Sequence, residues 1–360
     1  MRQAPSHRHI SRVALALLAL TGTAHAQDKS SVTLFGILDA AVRQVSNEGK
    51  GSITSVVSGS NNTSRLGFRG SEDLGGGLSA GFHLETGISV DSGAPANSTI
   101  FWDRRSTVSL MGGFGEVRAG RDFVPTYTAW VRHDPFAFVG VGASSVLLGA
   151  SPTSPSTGLG TPPVLRTGNA VQYLLPRGLG GFDGGVMVTA GEGGKASDGQ
   201  HKLISGRLMY TFGGLSITGA VGSTENDVTT LGKFKDTVFG VRYDFGEGRV
   251  SIAQRRFSYP GSSQRTLIIS GVMPIGSHEL KAAVLTTKLD GKVGNTTITG
   301  NDARHIAVGY VYNLSKRTAL YTTAARITNE RNANFVIAGG PTPLAGKAST
   351  GFEGGMRHSF

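Results

Sequence analysis

The sequence contains no cysteine, few charged residues and no long apolar run after its first 26 residues. Of its 360 residues, 16% are charged and 54 are glycine. Without cysteine, an exported chain cannot be held together by disulfide bonds. No later stretch reaches the roughly 18 consecutive apolar residues that a transmembrane helix needs. These absences exclude a domain held together by disulfide bonds and a helical membrane protein. The high glycine content is also unusual for a soluble domain.

The first 26 residues read as a cleaved secretory signal peptide. Arg2, Arg8 and Arg12 form a basic start, and a short apolar run over 13–20 follows it. Residues 24–26 read Ala-His-Ala, which is a small-residue cleavage pattern. Removing three arginines and no acid lowers the formal charge from +11 to about +8. We expect residues 27–360 to form one exported, basic domain.

Alternation of apolar and polar residues at period two recurs along this exported part. In 304–314, the side chains of Ile306, Val308 and Tyr310 fall on one face, and those between them fall on the other. The segments 204–212 and 238–246 alternate in the same way. This period is typical of β-strands that have one apolar and one polar face.

Short and long connections alternate between the strand candidates. Glycine-rich turns such as 75–77 and 213–214 are short, whereas 223–236, 288–302 and 328–348 are long and polar. Tight periplasmic turns and long external loops are typical of outer-membrane barrels. We count sixteen strand candidates, beginning with 31–45 and 63–72, and a missed hairpin would make eighteen. The expected fold is all-β, a 16-stranded antiparallel transmembrane β-barrel in the outer membrane of a Gram-negative bacterium.

One segment, 123–167, does not follow this regular succession of strands and connections and is expected to be the constriction loop. It holds six of the 13 prolines. Its first half is aromatic and apolar, a composition that a loop in contact with solvent would not need. The residues concerned are Pro125, Pro135, Pro152, Pro155, Pro162 and Pro163, and the aromatic residues Tyr127, Trp130, Phe136 and Phe138. We expect the loop to fold back into the barrel; the alternative is a disordered external loop.

Alternation also predicts which charged side chains face the lumen. Leu66 and Phe68 form the apolar set of their strand, so Arg65 and Arg69 point the other way. An arginine facing lipid at mid-membrane costs ~2–4 kcal/mol, which places both in the lumen.

The same reasoning extends to the following strands. It places Arg105, Glu116 and Arg118 in the lumen, and Arg166 at the end of the long loop. Asp134 is the clearest acid of that loop. Rings of arginine favour anions in pores, so we expect a positive lumen and a water-filled channel for small hydrophilic solutes. The alternative is that each arginine pairs with a lumen acid and only holds the barrel's shape.

Motifs for other functions are absent or incomplete. Residues 191–195 read GEGGK, which lacks the spacing of a phosphate-binding loop. No zinc-binding His pattern and no nucleophile motif occurs. We expect no enzyme, no catalytic residue, no cofactor, no metal and no nucleic-acid partner.

Several long segments resemble the general trimeric porins of β-proteobacteria. Residues 31–39 read SVTLFGILD, 61–78 read NNTSRLGFRGSEDLGGGL, and 104–110 read RRSTVSL; 114–122 read FGEVRAGRD, and 354–360 read GGMRHSF. The resemblance spans essentially the whole exported chain and is specific, because these segments are long.

The resemblance implies a homotrimer of 16-stranded barrels in outer-membrane lipid and lipopolysaccharide. It implies that 123–167 constricts the pore, that Arg65, Arg105 and Arg166 face this loop across the opening, and that anions are preferred. The terminal Phe360 resembles the signal read by the barrel-assembly machinery.

Three rival functions stand beside a general diffusion pore. The closest is a substrate-selective channel for organic acids such as dicarboxylates, since grouped arginines would also bind carboxylates. A structural or adhesive barrel with a blocked lumen would need a plug or passenger domain, and an enzyme would need a polar triad. The sequence shows neither of these last two features.

Overall fold

The structure is a computed structural model that describes residues 30–148, 165–192 and 200–360. The expected signal peptide, 1–26, lies outside the described residues. So do Pro152, Pro155, Pro162 and Pro163 of the expected constriction loop, and residues 193–195 of the GEGGK segment.

Eighteen strands and a few short helices make up the described chain. The strands are β1 (Ser31–Asn47), β2 (Gly51–Ser58), β3 (Arg65–Gly75), β4 (Leu78–Gly87), β5 (Arg105–Gly112), β6 (Gly115–Phe123), β7 (Arg166–Leu174), β8 (Phe182–Thr189), β9 (Lys202–Phe212), β10 (Leu215–Glu225), β11 (Phe234–Phe245), β12 (Gly248–Tyr259), β13 (Ser262–Ile275), β14 (His278–Val293), β15 (Thr296–Thr297), β16 (Ala303–Asn313), β17 (Thr318–Asn329) and β18 (Ser349–Ser359). Helix α1 (Pro125–Trp130) and the 3-10 helices Val131–His133 and Ser144–Val146 lie between β6 and β7. No helix of the described ranges is long and apolar enough to cross a membrane.

The strands close into a single antiparallel barrel of sixteen, as the alternation predicted. β1 pairs with β18 over residues 37–47, which closes the sheet. β2 and β3 both pair with β1, one after the other, and so form two halves of one barrel strand. β15 pairs only with the end of β14, outside the wall. The eighteen segments therefore give sixteen barrel strands, and closure leaves no open sheet edge in lipid.

The connections differ between the two ends of the barrel. At the end of the barrel where β1 begins and β18 ends, turns such as 213–214 are tight, and Gly213 and Gly214 have φ of 52° and 87°. Positive φ at both central residues is what a two-residue hairpin turn of type I′ requires. The other end carries the long loops, but 48–50 and 260–261 are tight turns there as well.

The outer surface of the barrel is an apolar band. Val108, Leu110 and Val117 are 61%, 43% and 42% exposed, whereas their inward neighbours are polar. Exposing such side chains to water costs about 25 cal/mol per Å². The band therefore faces lipid, and the polar set lines the lumen.

The first half of the long loop folds into the lumen, which confirms the expected inward fold for residues 124–148. Trp130, Phe136 and Leu147 are buried against wall residues such as Ile268 on β13 and Leu285 on β14. The indole Nε1 of Trp130 donates to Ser144 Oγ at 2.9 Å. The aromatic residues thus attach the loop to one side of the wall and leave the pore on the other side.

A second loop, 330–348, also folds inward, although the sequence indicated only a polar external loop. Ala333, Phe335 and Ile337 are buried in the same apolar cluster as Trp130. The backbone N–H of Ile337 donates to Ser349 Oγ at 3.1 Å. Loop 330–348 therefore narrows the outer mouth of the lumen.

Candidate pore constriction

A cavity of about 280 Å³ lies in the described part of the lumen, between loop 124–148 and one side of the wall. Its wall side contributes charged residues, and its loop side contributes uncharged ones. The lining residues are Asn62, Thr63, Arg65, Glu85, Arg104, Phe123, Tyr127, Val131, Ala137, Phe138, Val139, Leu165 and Arg166.

Arg65 reaches this cavity because the chain between β2 and β3 turns into the lumen. The carboxylate of Asp39 accepts hydrogen bonds from the backbone N–H groups of Ser60, Asn61 and Asn62 at 3.2, 3.0 and 2.6 Å. A buried carboxylate needs such donors, and here they bend residues 59–64 inward. Arg65, the first residue of β3, then donates from Nη1 to Asn62 Oδ1 at 3.1 Å.

Glu85 on β4 holds two arginines at the cavity. Its carboxylate lies 3.8 Å from Arg65 Nε, and Arg104 Nε donates to its other oxygen at 2.5 Å. One negative charge thus balances only one of two positive charges.

Arg104 was not among the residues that the sequence predicted for the constriction. Consecutive arginines in a strand point to opposite faces, so a strand through both Arg104 and Arg105 would place one of them in lipid. β5 begins at Arg105 instead, and Arg104 turns into the lumen. The sequence signal for Arg104 in the lumen was that two consecutive arginines stand at the start of a strand.

Arg166 and Arg105 flank the ring of Phe123 at the end of β6. The guanidinium carbon of Arg166 lies 4.2 Å from the ring centroid, and that of Arg105 lies 5.7 Å from it. Arg105 also forms an ion pair with Asp122 at 2.7 Å. Among the residues that the structure describes, no carboxylate forms an ion pair with Arg166, and its Nε is buried without a hydrogen-bond partner. Its charge is the least compensated in the cavity.

The other charged residues expected in the lumen lie closer to the short-turn end. Arg118 pairs with Glu116 at 2.8 Å and also with Asp122. Arg69 lies 5.2 Å from the ring of Phe35. Arg118 and Glu116 largely balance each other, so they add little net field.

Asp134 takes a different place from the one expected. Its carboxylate is buried inside loop 124–148, where it accepts hydrogen bonds from the N–H groups of Phe136, Phe138 and Ser144 at 2.9, 3.2 and 2.8 Å. Burial raises its pKa above the ordinary value of 3.8, and these hydrogen bonds oppose the rise. It holds the loop's fold and does not line the cavity, because the loop's own N–H groups need an acceptor.

The cavity therefore carries a net positive charge. Its lining includes three arginines and one glutamate, and the loop side has no carboxylate. A low-dielectric wall concentrates such a field in a narrow passage.

Two wall residues fix the far end of the loop. Val141 N–H donates to the Glu353 carboxylate at 3.0 Å, and Val141 O lies 3.1 Å from His305 Nε2. Glu353 is on β18 and His305 is on β16, so both backbone groups of one loop residue are held by the barrel. Such anchors keep the passage at a defined width.

Phe360 lies outside the lumen, at the closure of the barrel. Its backbone N–H donates to Gly36 O and its carbonyl accepts from Gly36 N–H, both at 3.1 Å. Its ring lies over Gly36 on the outward face. Within the described ranges, no group of three His, Cys, Asp or Glu side chains could hold a metal ion.

Comparisons with known proteins agree with this geometry. The family described as Gram-negative porin matches residues 13–332. The outer membrane porin protein 32 of Delftia acidovorans is 37% identical over 97% of this chain and 99% of its own. An outer membrane porin of Bordetella pertussis is 25% identical over 98% of this chain and 100% of its own.

A solved structure agrees over nearly the same range. The anion-selective porin from Comamonas acidovorans has a TM-score of 0.79 and 34% identity, and the match covers 92% of this chain and 100% of that one. The chain therefore belongs to the Gram-negative porin family, as a passive channel of the outer membrane and not an enzyme.

Proposed function

We propose that this porin prefers anions, and that Arg65, Arg104 and Arg166 set the preference. The observation that carries the proposal is the one-sided charge of the cavity, where three arginines face a loop surface without a carboxylate. Guanidinium groups stay charged at every working pH and bind carboxylate and phosphate well.

The size of the effect follows from Coulomb's law. Two unit charges 4 Å apart interact by about 1 kcal/mol in water and by about 4 kcal/mol near a protein surface. Each uncompensated arginine would then favour an anion over a cation several-fold in this cavity. The name of the Comamonas protein, an anion-selective porin, supports the same preference.

A substrate-selective channel for organic acids such as dicarboxylates is the second candidate. Arg65 and Arg166 line the same cavity, and two guanidinium groups would hold the two carboxylates of one solute. Solutes of this kind would bind for longer than chloride does.

The remaining features of the channel are proposed from the family resemblance. The chain would assemble as a homotrimer in outer-membrane lipid. The outward positions of β1, β2 and β18 carry no Lys or Arg, which would favour contact between two barrels on this side. Residues 1–26 would be removed during export, and Phe360 would be read by the barrel-assembly machinery. The pore would pass small anionic or polar solutes, with 123–167 as the constriction loop.

The test is the reversal potential of the protein in a planar bilayer under a KCl gradient. A potential of the anion-selective sign supports the proposal, and a cation-selective sign overturns it. Conductance that saturates with one dicarboxylate, and not with acetate, would favour the second candidate. Folded protein that gave no conductance steps would indicate a blocked lumen and contradict both.

A further inference from the structure

The cavity between loop 124–148 and the wall has two chemically different sides. The charged residues of its wall side are Arg65, Glu85, Arg104 and Arg166. Of the described loop residues, those that line the cavity are uncharged and largely apolar: Tyr127, Val131, Ala137, Phe138 and Val139. In small-molecule sites, apolar side chains supply most of the contact, and a few polar groups fix the orientation of the ligand. The cavity is therefore suited to an anion that is apolar at its other end.

Two aromatic rings on the loop side of the cavity contact each other in a defined geometry. We call Tyr127 and Phe138 the aromatic pair. Their ring centroids lie 5.3 Å apart and their planes meet at 85°, which is an edge-to-face contact. Tyr127 also stacks on Phe123, with centroids 5.0 Å apart and an interplanar angle of 15°. An aromatic solute would extend this series of ring contacts, because both arrangements are favourable for aromatic rings.

Phe138 is held at the cavity by an unusual backbone conformation. Ala137 and Phe138 have φ of 53° and 70°, in the left-handed region that a bulky residue rarely adopts. The Asp134 carboxylate accepts a hydrogen bond from Phe138 N–H at 3.2 Å, and the Asp134 carbonyl accepts one from Ala137 N–H at 3.2 Å. Strained residues persist only where the surrounding structure fixes them, and they cluster at functional sites. The loop's own hydrogen bonds therefore specify where the ring of Phe138 lies.

Arg166 brings an available positive charge to the same cavity. Its guanidinium carbon lies 4.2 Å from the centroid of the Phe123 ring, a cation–π contact that orients the group without neutralising it. Glu85, the carboxylate of the cavity lining, accepts from Arg104 Nε and lies 3.8 Å from Arg65 Nε. Its charge is thus shared between two other arginines. A solute carboxylate would supply the ion pair that Arg166 needs, since guanidinium groups bind carboxylates bidentately.

We infer that this cavity selects carboxylates that carry an aromatic ring. The carboxylate lies against Arg166 and Arg65, and the ring lies against the aromatic pair. The volume of about 280 Å³ is just below the range of about 300–1,000 Å³ of small-molecule sites, which suits a solute with one ring. A dicarboxylate uses only the charged side of the cavity, whereas an aromatic acid contacts both sides. The inference rests on the proposed anion preference and names the class of organic acid that the cavity favours.

The experiment measures how four solutes block the KCl current of the protein in a planar bilayer: benzoate, acetate, succinate and benzyl alcohol. We expect benzoate to reach half-block at a concentration about tenfold lower than acetate, which has no ring, and benzyl alcohol, which has no charge. An equal or lower half-block concentration for any of the other three solutes would overturn the inference. The reversal potential in KCl is recorded from the same channels. An anion-selective sign without a preference for benzoate would overturn this inference alone, whereas a cation-selective sign would overturn the proposed function as well.

Matched variants remove two rings from different places without changing any charge. Tyr127→Leu with Phe138→Leu should raise the half-block concentration of benzoate about fivefold, and should leave that of acetate and the chloride-to-potassium permeability ratio unchanged. The control, Phe101→Leu with Phe212→Leu, removes two exposed rings outside the cavity and should behave as the native protein does. Equal half-block concentrations of benzoate for the two variants would contradict the inference. If the first variant fails to fold, the comparison of solutes on the native protein still decides.

Discussion

The carboxylate of Glu353, on the last strand, accepts a hydrogen bond at 3.0 Å from the backbone N–H of Val141, which lies 212 residues earlier in the inward-folded loop 124–148. The same carboxylate pairs with Arg43 at 2.7 Å, and its side chain is fully buried. One charged group on the barrel's closing strand thus connects the loop to the wall.

Glu353→Gln should therefore loosen the loop and destabilise the barrel. Removing one partner of a buried ion pair leaves the other charge uncompensated and costs about 3–5 kcal/mol. Denaturant unfolding should show a loss of this order, and single-channel records should become noisier. Glu330→Gln, which removes an exposed carboxylate, is the control and should change the free energy of unfolding little. Equal stability of the two variants would show that Glu353 does not anchor the loop.

Gly140→Ala should disturb the loop next to this anchor. Gly140 has φ of 76°, and an added Cβ would overlap the carbonyl of Ser60 and the carboxylate of Glu353. Backbone strain of about 1–2 kcal/mol would add to overpacking of about 1–3 kcal/mol. The measurement is the free energy of unfolding together with the open-channel conductance.

Gly93→Ala separates the cost of backbone strain from the cost of overpacking. Gly93 has φ of 72°, but nothing lies within 4 Å of an added Cβ. This variant should show the backbone strain alone and an unchanged conductance. If Gly140→Ala and Gly93→Ala lose the same stability, the close contact of the loop with Ser60 and Glu353 is not a constraint.

Acid should weaken docking of the loop through His133. Its Nδ1 lies 2.5 Å from Ser251 Oγ on the wall. Burial, together with Arg242 and Arg132, lowers the pKa of His133 from 6.5 to about 4. Between pH 6.5 and pH 4 a released loop therefore binds a proton that the docked loop does not. Docking is strongest above pH 6.5 and weakens as the pH falls to 4.

Protease sensitivity of the loop, or channel noise, measured against pH checks this prediction. His133→Gln keeps a hydrogen-bonding side chain but does not titrate, so it should flatten the response between pH 6.5 and pH 4. Asp134 has the opposite effect on the pH dependence of docking, because burial raises the pKa of its carboxyl above 3.8. An identical pH response of the native protein and His133→Gln would contradict the role of His133.

Strands were the part of the fold that alternation could predict. The segment 304–314 corresponds to β16 (Ala303–Asn313) and 204–212 to most of β9 (Lys202–Phe212). β2 (Gly51–Ser58) was missed, because its three serines and one threonine interrupt the alternation of apolar and polar residues. The inward turn at 59–64 depends on Asp39, a contact between distant residues that no local pattern contains.

The candidate site was predictable only in part, for similar reasons. Alternation indicated Arg65 because it has strand neighbours, but Arg104 lies just outside a strand and Asp134 lies in a loop. Their directions depend on Glu85 and on the loop's own N–H groups, respectively. Inward folding of 330–348 has a local signal in the sequence, since Phe335, Val336 and Ile337 form a short apolar run in an otherwise polar loop.

The most direct test of the arginine constriction is the chloride-to-potassium permeability ratio, obtained from reversal potentials of Arg166→Gln and Arg326→Gln. Arg166 lines the cavity without an ion pair to any described acid, whereas Arg326 faces outward near the rim. Loss of about 1 kcal/mol of attraction should lower the ratio roughly fivefold for Arg166→Gln, and Arg326→Gln should leave it unchanged. Equal ratios for both variants and the native protein would show that the cavity's arginines do not set the selectivity.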